Sequence, residues 1–265
     1  TSVYKTDGTT LLKDVSGNTA AGSGSLYTNE NSINITNPSL TCTNCSGITT
    51  GRKLQVRYTP VGTAFTDETT NLVSGTSVLN ADSTTYTSTA TIPNLMAGTG
   101  YHLRMRTIDD AGRVSAWQSY GNNTDTSVAD VTVDQTSVSA GTMTLSGDNA
   151  GSLIYINNVN DNRLAKAVLP LSDNMSTSLD VQFSEDGVNG WGIYSGASDG
   201  SGSVILDNSW GLGSYKTVAG ITTSATSMTI PEAWKFTSTT DGTKSLYIRV
   251  RDAAGNITTS ATSSS

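Results

Sequence analysis

Charge is scarce in this sequence: 14% of its 265 residues are Asp, Glu, Lys or Arg, against the roughly 25% usual in globular domains. Basic residues number 15 and acidic residues 22, for a net charge of −7. No basic cluster exists to release counterions from a phosphate backbone, which excludes nucleic acid as a partner. No apolar run approaches the ~20 residues that span a bilayer, so membrane insertion is not expected. Histidine occurs once, as His102. It falls between Tyr101 and Leu103 in a strand pattern, as a packed or solvated strand residue. No Gly-x-Ser-x-Gly elbow followed by a helix accompanies it, so nucleophilic catalysis has no support. Paired carboxylates can meet in space without a sequence signature. The modules described below leave them no deep cleft, and the expectation is a protein that is not an enzyme.

Cysteine is limited to Cys42 and Cys45. A redox pair of this spacing needs a helix N-terminus to stabilise a thiolate, and the Ser/Thr/Asn/Gly neighbours carry no helical pattern. A zinc site needs two further ligands, and only His102 is on offer. The expectation is a small structural disulfide, which suits an exported protein and adds little stability because the loop is short.

Ser, Thr, Asn and Gly fill the space that charge leaves. Thr favours pleated strands, while Gly and Asn accept turn dihedrals. Helix formers are few. The exception is Asp161-Asn-Arg-Leu-Ala-Lys-Ala-Val168, where Asp161 or Asn162 can cap a short helix and Pro170 lies beyond its end. Disorder is the alternative for so polar a chain. Recurring apolar alternation, with four Trp and ten Tyr, stands against it.

An internal repeat organises the chain. Leu103, Arg106, Asp109, Ala111 and Gly112 recur in order as Leu246, Arg249, Asp252, Ala254 and Gly255. In both copies an alternating strand leads into an Asp/Ala/Gly turn and a second short strand, the pattern of a β-hairpin. Upstream, Leu54-Gln-Val-Arg-Tyr-Thr59 aligns with Leu179-Asp-Val-Gln-Phe-Ser184. The separation between strand and hairpin is longer in the second copy, so an insertion lies within 187–226. Two copies of one strand plan predict two domains, at 31–126 and 127–265, joined near Gly121–Thr126. Residues 1–30 read as an incoming linker or strand. The Gly/Ser-rich start and the Ser/Thr-rich 258–265 read as linkers of a longer chain, and Thr1–Lys5 is not a signal peptide.

Thr91-Ile-Pro-Asn-Leu95 through Gly98-Thr-Gly-Tyr101 resembles the corner before strand F of fibronectin type III domains, where a Tyr hydroxyl ties the corner. Tyr101 takes that place. The aligned residue of the second copy is Lys244, a departure. Val250-Arg-Asp-Ala-Ala-Gly-Asn256 instead resembles bacterial immunoglobulin-like modules of surface adhesins, and Val181 through Trp191 resembles their strand C hairpin. The resemblance implies an all-β protein of two tandem immunoglobulin-like (fibronectin type III-like) β-sandwiches, the second carrying a Gly/aromatic-rich insertion. It also implies an extracellular spacer or binding unit, since such folds do not decide function.

The insertion holds the most informative residues. Trp191, Tyr194, Trp210 and Tyr215 lie among glycines, with Asp207 and Asn208 beside them. A pyranose stacks its apolar face on such rings while amides and carboxylates take its hydroxyls. The competing reading is core packing, because these folds bury a strand C Trp. Trp117 and Tyr120 are core or edge residues of the first domain. No metal ligand set is expected. Calcium is the one cofactor left open, at the oxygen-rich runs 157–162 and 199–203, although each offers one carboxylate where calcium wants several. Asp109, Asp110 and Asp252 read as turn residues bonding nearby backbone. The expected activity is attachment at a cell surface through glycan or protein of another cell, in an adhesin or homo-oligomeric fibre. The rivals are a plain spacer holding other domains of the parent chain, and an accessory domain of a secreted carbohydrate-active enzyme.

Overall fold

The computed structural model describes residues 1–14, 26–41, 52–81, 85–122, 124, 127–147, 164–196, 201–211, 213–238 and 242–261. The chain is all-β, with no α-helix among the described residues, and forms two compact units, Thr1–Gln135 and Thr136–Ser265.

In the first unit, one sheet has the order β1 (Ser2–Tyr4), β4 (Ile33–Thr41), β8 (Thr85–Ile92), β7 (Thr76–Leu79). The other runs β2 (Lys13–Asp14), β3 (Leu26–Thr28), β11 (Val131–Val133), β9 (Gly100–Ile108), β5 (Lys53–Pro60), β6 (Leu72–Ser74), and β10 (Gln118–Ser119) pairs with β9. Alternation along each long strand sends one face inward. Ile33, Ile35, Ala90 and Ile92 from the first sheet and Leu54, Val56, Leu103 and Val131 from the second join one apolar cluster, the arrangement of a sandwich.

Of residues 1–14 and 26–30, β1, β2 and β3 join the sheets, and Val3, Leu12 and Leu26 enter the core. The junction lies beyond 121–126: β11 pairs antiparallel with β9 and parallel with β3, and only after Gln135 does the second unit begin. The Tyr101 hydroxyl accepts a hydrogen bond from the Met96 N–H at 2.9 Å, closing the turn that Gly98 makes at φ 72.

The second unit repeats the plan with β12 (Ser139–Ala140), β13 (Thr144–Gly147), β14 (Leu164–Ser172) and β19 (Thr226–Lys235) in one sheet. The other sheet holds β15 (Ser178–Ser184), β16 (Gly192–Ser195), β17 (Ser203–Leu206), β18 (Lys216–Ala219), β20 (Tyr247–Arg251) and β21 (Ile257–Ala261). Its core joins Ala165, Ala167, Leu169 and Ile230 to Val181, Phe183, Ile248 and Val250, with Trp234 and Phe236.

The expected short helix is a strand. Asp161 and Asn162 lie outside the described residues, and Leu164–Ser172 pairs with β13 and β19. Alternate residues Ala165, Ala167, Leu169 and Leu171 are all buried, so a period of two and two sheet partners override the helix propensity of Leu, Ala and Lys. The insertion is also strand: β16 and β17 form a hairpin, and β18 extends along β15. Gly192 is required there, because a Cβ would sit 1.9 Å from the Ile205 carbonyl oxygen.

The repeated Asp/Ala/Gly turn is the same device twice. Asp109 Oδ1 accepts from Arg113 N at 2.9 Å, and Asp252 Oδ1 accepts from Gly255 N and Asn256 N at 2.7 and 2.8 Å. Gly112 (φ 78) and Gly255 (φ 94) supply the left-handed residue, which L side chains resist. The register corrects the upstream alignment by two residues. Gln55 faces Arg106 and Gln182 faces Arg249, so Gln55 and Gln182 are the equivalent positions. A slip of two keeps every side chain on its face, which is why alternation alone does not detect it.

Candidate functional site

The five candidate residues that the second unit gathers lie against the outer face of β15 and β20. Inward residues Val181, Phe183, Ile248 and Val250 are spent on the core. The alternate residues therefore face outward in opposed pairs, Asp180 with Arg251 and Gln182 with Arg249. Arg251 Nη2 donates to Asp180 Oδ2 at 2.7 Å, and Arg249 Nε donates to Gln182 Oε1 at 2.8 Å.

The loop after β17 closes over these pairs. Gln182 Nε2 donates to the carbonyls of Asp207 and Ser214, both at 2.9 Å, and Arg249 Nη2 donates to the Asn208 carbonyl at 2.8 Å. Asn208 Oδ1 accepts from Trp191 N at 3.1 Å. Asp207 accepts from the Ser209 hydroxyl and N–H and from Gly211 N, and these bonds to its charged form lower its pKa to about 2.

The rings stack on guanidiniums. Arg249 lies 4.9 Å from the Trp191 ring centre and 4.7 Å from that of Trp210, while Arg251 lies 4.6 Å from Trp210 and 5.5 Å from Tyr215. Each contact falls within cation–π range. Burial, and then Arg251 beside it, lower the pKa of Arg249. Trp210 adopts φ 60, a conformation costing a non-glycine residue about 1–3 kcal/mol, and its buried Nε1–H has no hydrogen-bond partner among the described residues.

The candidate residues thus come together, but not as an open platform. Trp191, Trp210 and Tyr194 are 4%, 8% and 1% exposed, and only Tyr215 is half-buried. Tyr194 stands apart from the stack, its hydroxyl accepting from Gly202 N at 2.9 Å. The rings are covered because Arg249 and Arg251 fall on the same face. Sequence reasoning recorded Arg249 only as a repeat position and passed over Asp180, Gln182 and Arg251. The signal was available: polar and charged residues at every second position of two strands, out of phase with the apolar ones.

The first unit carries a counterpart. Arg106 Nε donates to Gln55 Oε1 at 2.8 Å, and its guanidinium lies 4.3 Å from the Trp117 ring centre. His102 is buried, its ring 5.8 Å from Phe65 and its Nδ1 3.0 Å from Asp130 Oδ2. It is a packed strand residue and not a solvated one.

Cys42 and Cys45 lie outside the described residues, as do Asp199 and the run 157–162. Within the second unit, Asp173 and Asp252 are both buried and bring ligand oxygens within 4.8 Å of each other. Asp173 Oδ1 accepts from Met175 N and Ser176 N at 2.9 and 2.5 Å, while Oδ2 accepts from no group among the described residues. Two buried carboxyl groups side by side, one with an oxygen that accepts no hydrogen bond among the described residues, offer oxygen ligands of the kind a hard cation takes.

Neither a family model nor a curated relative matches the chain.

Proposed function

We propose that the chain is a non-enzymatic segment of an extracellular surface protein, a stalk of two tandem immunoglobulin-like, fibronectin type III-like sandwiches within an adhesin or fibre. The observation that carries this reading is the brace common to both units. In each, a strand Gln accepts from the Arg opposite it, and Trp rings cover that Arg: Gln55, Arg106 and Trp117 in one, Gln182, Arg249, Trp191 and Trp210 in the other. The aromatic residues stiffen a sheet face with bonds that a spacer under load needs. The corner bond from Met96 N to the Tyr101 hydroxyl supports the fibronectin-like reading of the first unit. The burial of His102, the chain's single histidine, against Phe65 and Asp130 supports a non-enzymatic role.

One observation favours a second reading, attachment to glycan or protein of another cell through the second unit. The Trp210 indole N–H has no partner among the described residues, and Tyr215 in the same stack is half-buried. A ligand oxygen reaching Trp210 Nε1 would complete that donor.

The discriminating experiment is a glycan array probed with the chain, with Trp210→Ala and Tyr215→Ala alongside. A stalk gives no specific signal in any of the three. Specific binding that both variants lose, with circular dichroism unchanged, overturns the stalk and establishes the lectin-like reading.

A further inference from the structure

The outer face of β5 and β9 in the first unit carries three guanidiniums, and they are unequally satisfied. Arg57 faces Arg104, and Arg106 lies two residues further along β9. Arg106 donates through Nε to Gln55 Oε1 and through Nη1 to Glu68 Oε2 at 2.9 Å. Arg57 is 2% exposed, yet among the described residues its Nε alone makes a hydrogen bond, to the Thr70 carbonyl at 3.0 Å. Its Nη2 lies 3.6 Å from Asp67 Oδ1, and its buried Nη1 has no partner among the described residues.

Arg104 has no acceptor at all among the described residues, and its Nε is buried without a partner. Two rings hold it instead, Phe65 at 4.1 Å and Trp117 at 5.0 Å between ring centre and guanidinium carbon. Arg57 lies 5.2 Å from the same Phe65 ring. Burial first, and then the neighbouring Arg57 charge, lower the pKa of Arg104.

The nearby carboxylates are committed elsewhere. Asp67 accepts from Thr69 N at 2.7 Å, Thr70 N at 2.6 Å and the Thr70 hydroxyl at 2.6 Å. Glu68 accepts from Trp117 Nε1 as well as from Arg106. Three guanidiniums against two carboxylates leave one positive charge uncompensated, 3 − 2 = +1.

A guanidinium held between rings, with no acceptor among the described residues, is pre-organised. Its rotamer freedom is already lost, and its planar edge matches the two oxygens of a carboxylate or sulfate. Buried donors that lack acceptors favour any group that supplies them. From this geometry we propose that the first unit binds an oxyanion, carboxylate or sulfate, through the terminal nitrogens of the half-buried Arg104 clamped between Phe65 and Trp117, with the Arg57 charge beside it. The site lies in the unit opposite to that of the aromatic insertion and does not depend on the reading of Trp210.

The test is a nitrogen-15 NMR titration of the whole chain with inorganic sulfate and, separately, acetate, at constant ionic strength. Expected is a saturable shift of the Trp117 indole and Arg104 Nε–H signals, with the two anions separating sulfate from carboxylate preference. Arg104→Met keeps an unbranched apolar stem between the rings and abolishes the saturable shift. Arg104→Lys keeps the charge without the planar edge and weakens binding roughly tenfold. Arg113→Gln, at the Asp109 turn, leaves it unchanged. A linear drift of the same size in the native chain and in Arg104→Met, or native affinity in Arg104→Lys, overturns the site.

Discussion

Gln182→Leu removes the residue that ties the loop after β17 to the sheet of the second unit. Gln182 is wholly buried and serves three partners: the carbonyls of Asp207 and Ser214, each at 2.9 Å, and Arg249 Nε at 2.8 Å. Leucine fills a similar volume, so the cavity contribution is small and the loss is one of pairing. An orphaned buried polar group costs about 1–3 kcal/mol. Arg249 keeps the Asn208 carbonyl at 2.8 Å and its two ring contacts, so its share falls at the low end. The three together come to about 3–5 kcal/mol.

Urea unfolding followed by Trp fluorescence measures this, because Trp191, Trp210 and Trp234 report on the second unit and Trp117 on the first. With a slope of about 1–3 kcal/mol/M, the second unit's midpoint falls by about 2 M while the first unit's stays in place. The double variant Gln182→Leu/Arg249→Met recovers part of the loss, since replacing both partners leaves fewer orphans. A loss below about 1 kcal/mol in the single variant, or an equal shift of both transitions, refutes the brace.

Tyr101→Phe deletes only the hydroxyl that accepts from Met96 N, and lowers first-unit stability by about 1 kcal/mol in the same urea assay; no change removes the corner bond as a stabilising feature. Asp207 has a folded pKa lowered to about 2, below the ~3.9 of an unfolded Asp. Its contribution is therefore present above the unfolded value and lost as pH falls through about 4 to about 2. Asp207→Asn flattens the acid dependence of second-unit stability over that window, and matching acid slopes in the two proteins contradict the assignment. Calcium at millimolar concentration raises the second unit's melting midpoint over that in chelator, through Asp173 and Asp252, and Asp173→Asn abolishes the difference. Equal midpoints with and without calcium refute cation binding there.

Local chemistry sufficed for several elements. Alternation at Leu54–Val56, Leu103–Met105 and Ile248–Val250 marks strands whose inward residues do form the cores. The Asp/Ala/Gly repeat marks turns because the carboxylate and the left-handed glycine act within four residues of each other. These features need no distant partner, and a sequence reader can derive them from dihedral preference and hydrogen-bond reach.

What needed the tertiary structure was each choice that local rules leave degenerate. Leu164–Val168 has a helix former's composition, and the pairing of Leu164–Ser172 with β13 and β19 made it a strand. Alternation cannot distinguish a strand from the same strand slipped by two, so only the cross-strand pairs matched Gln182 with Gln55. The domain boundary followed β11, whose partners β3 and β9 come from distant parts of the chain. The rings of the insertion looked suited to a sugar because no local rule foretells a guanidinium on a strand dozens of residues away. Arg249 and Arg251 lie opposite Gln182 and Asp180 by register alone, and that register covers the Trp191 and Trp210 rings. By itself the sequence determined strands, turns and a duplicated plan, all set by short-range sterics and hydrogen bonding. Which faces meet, which charges stack on which rings and which donors are left without acceptors were decided by pairing between distant segments, since such contacts exist only once the sheets have assembled.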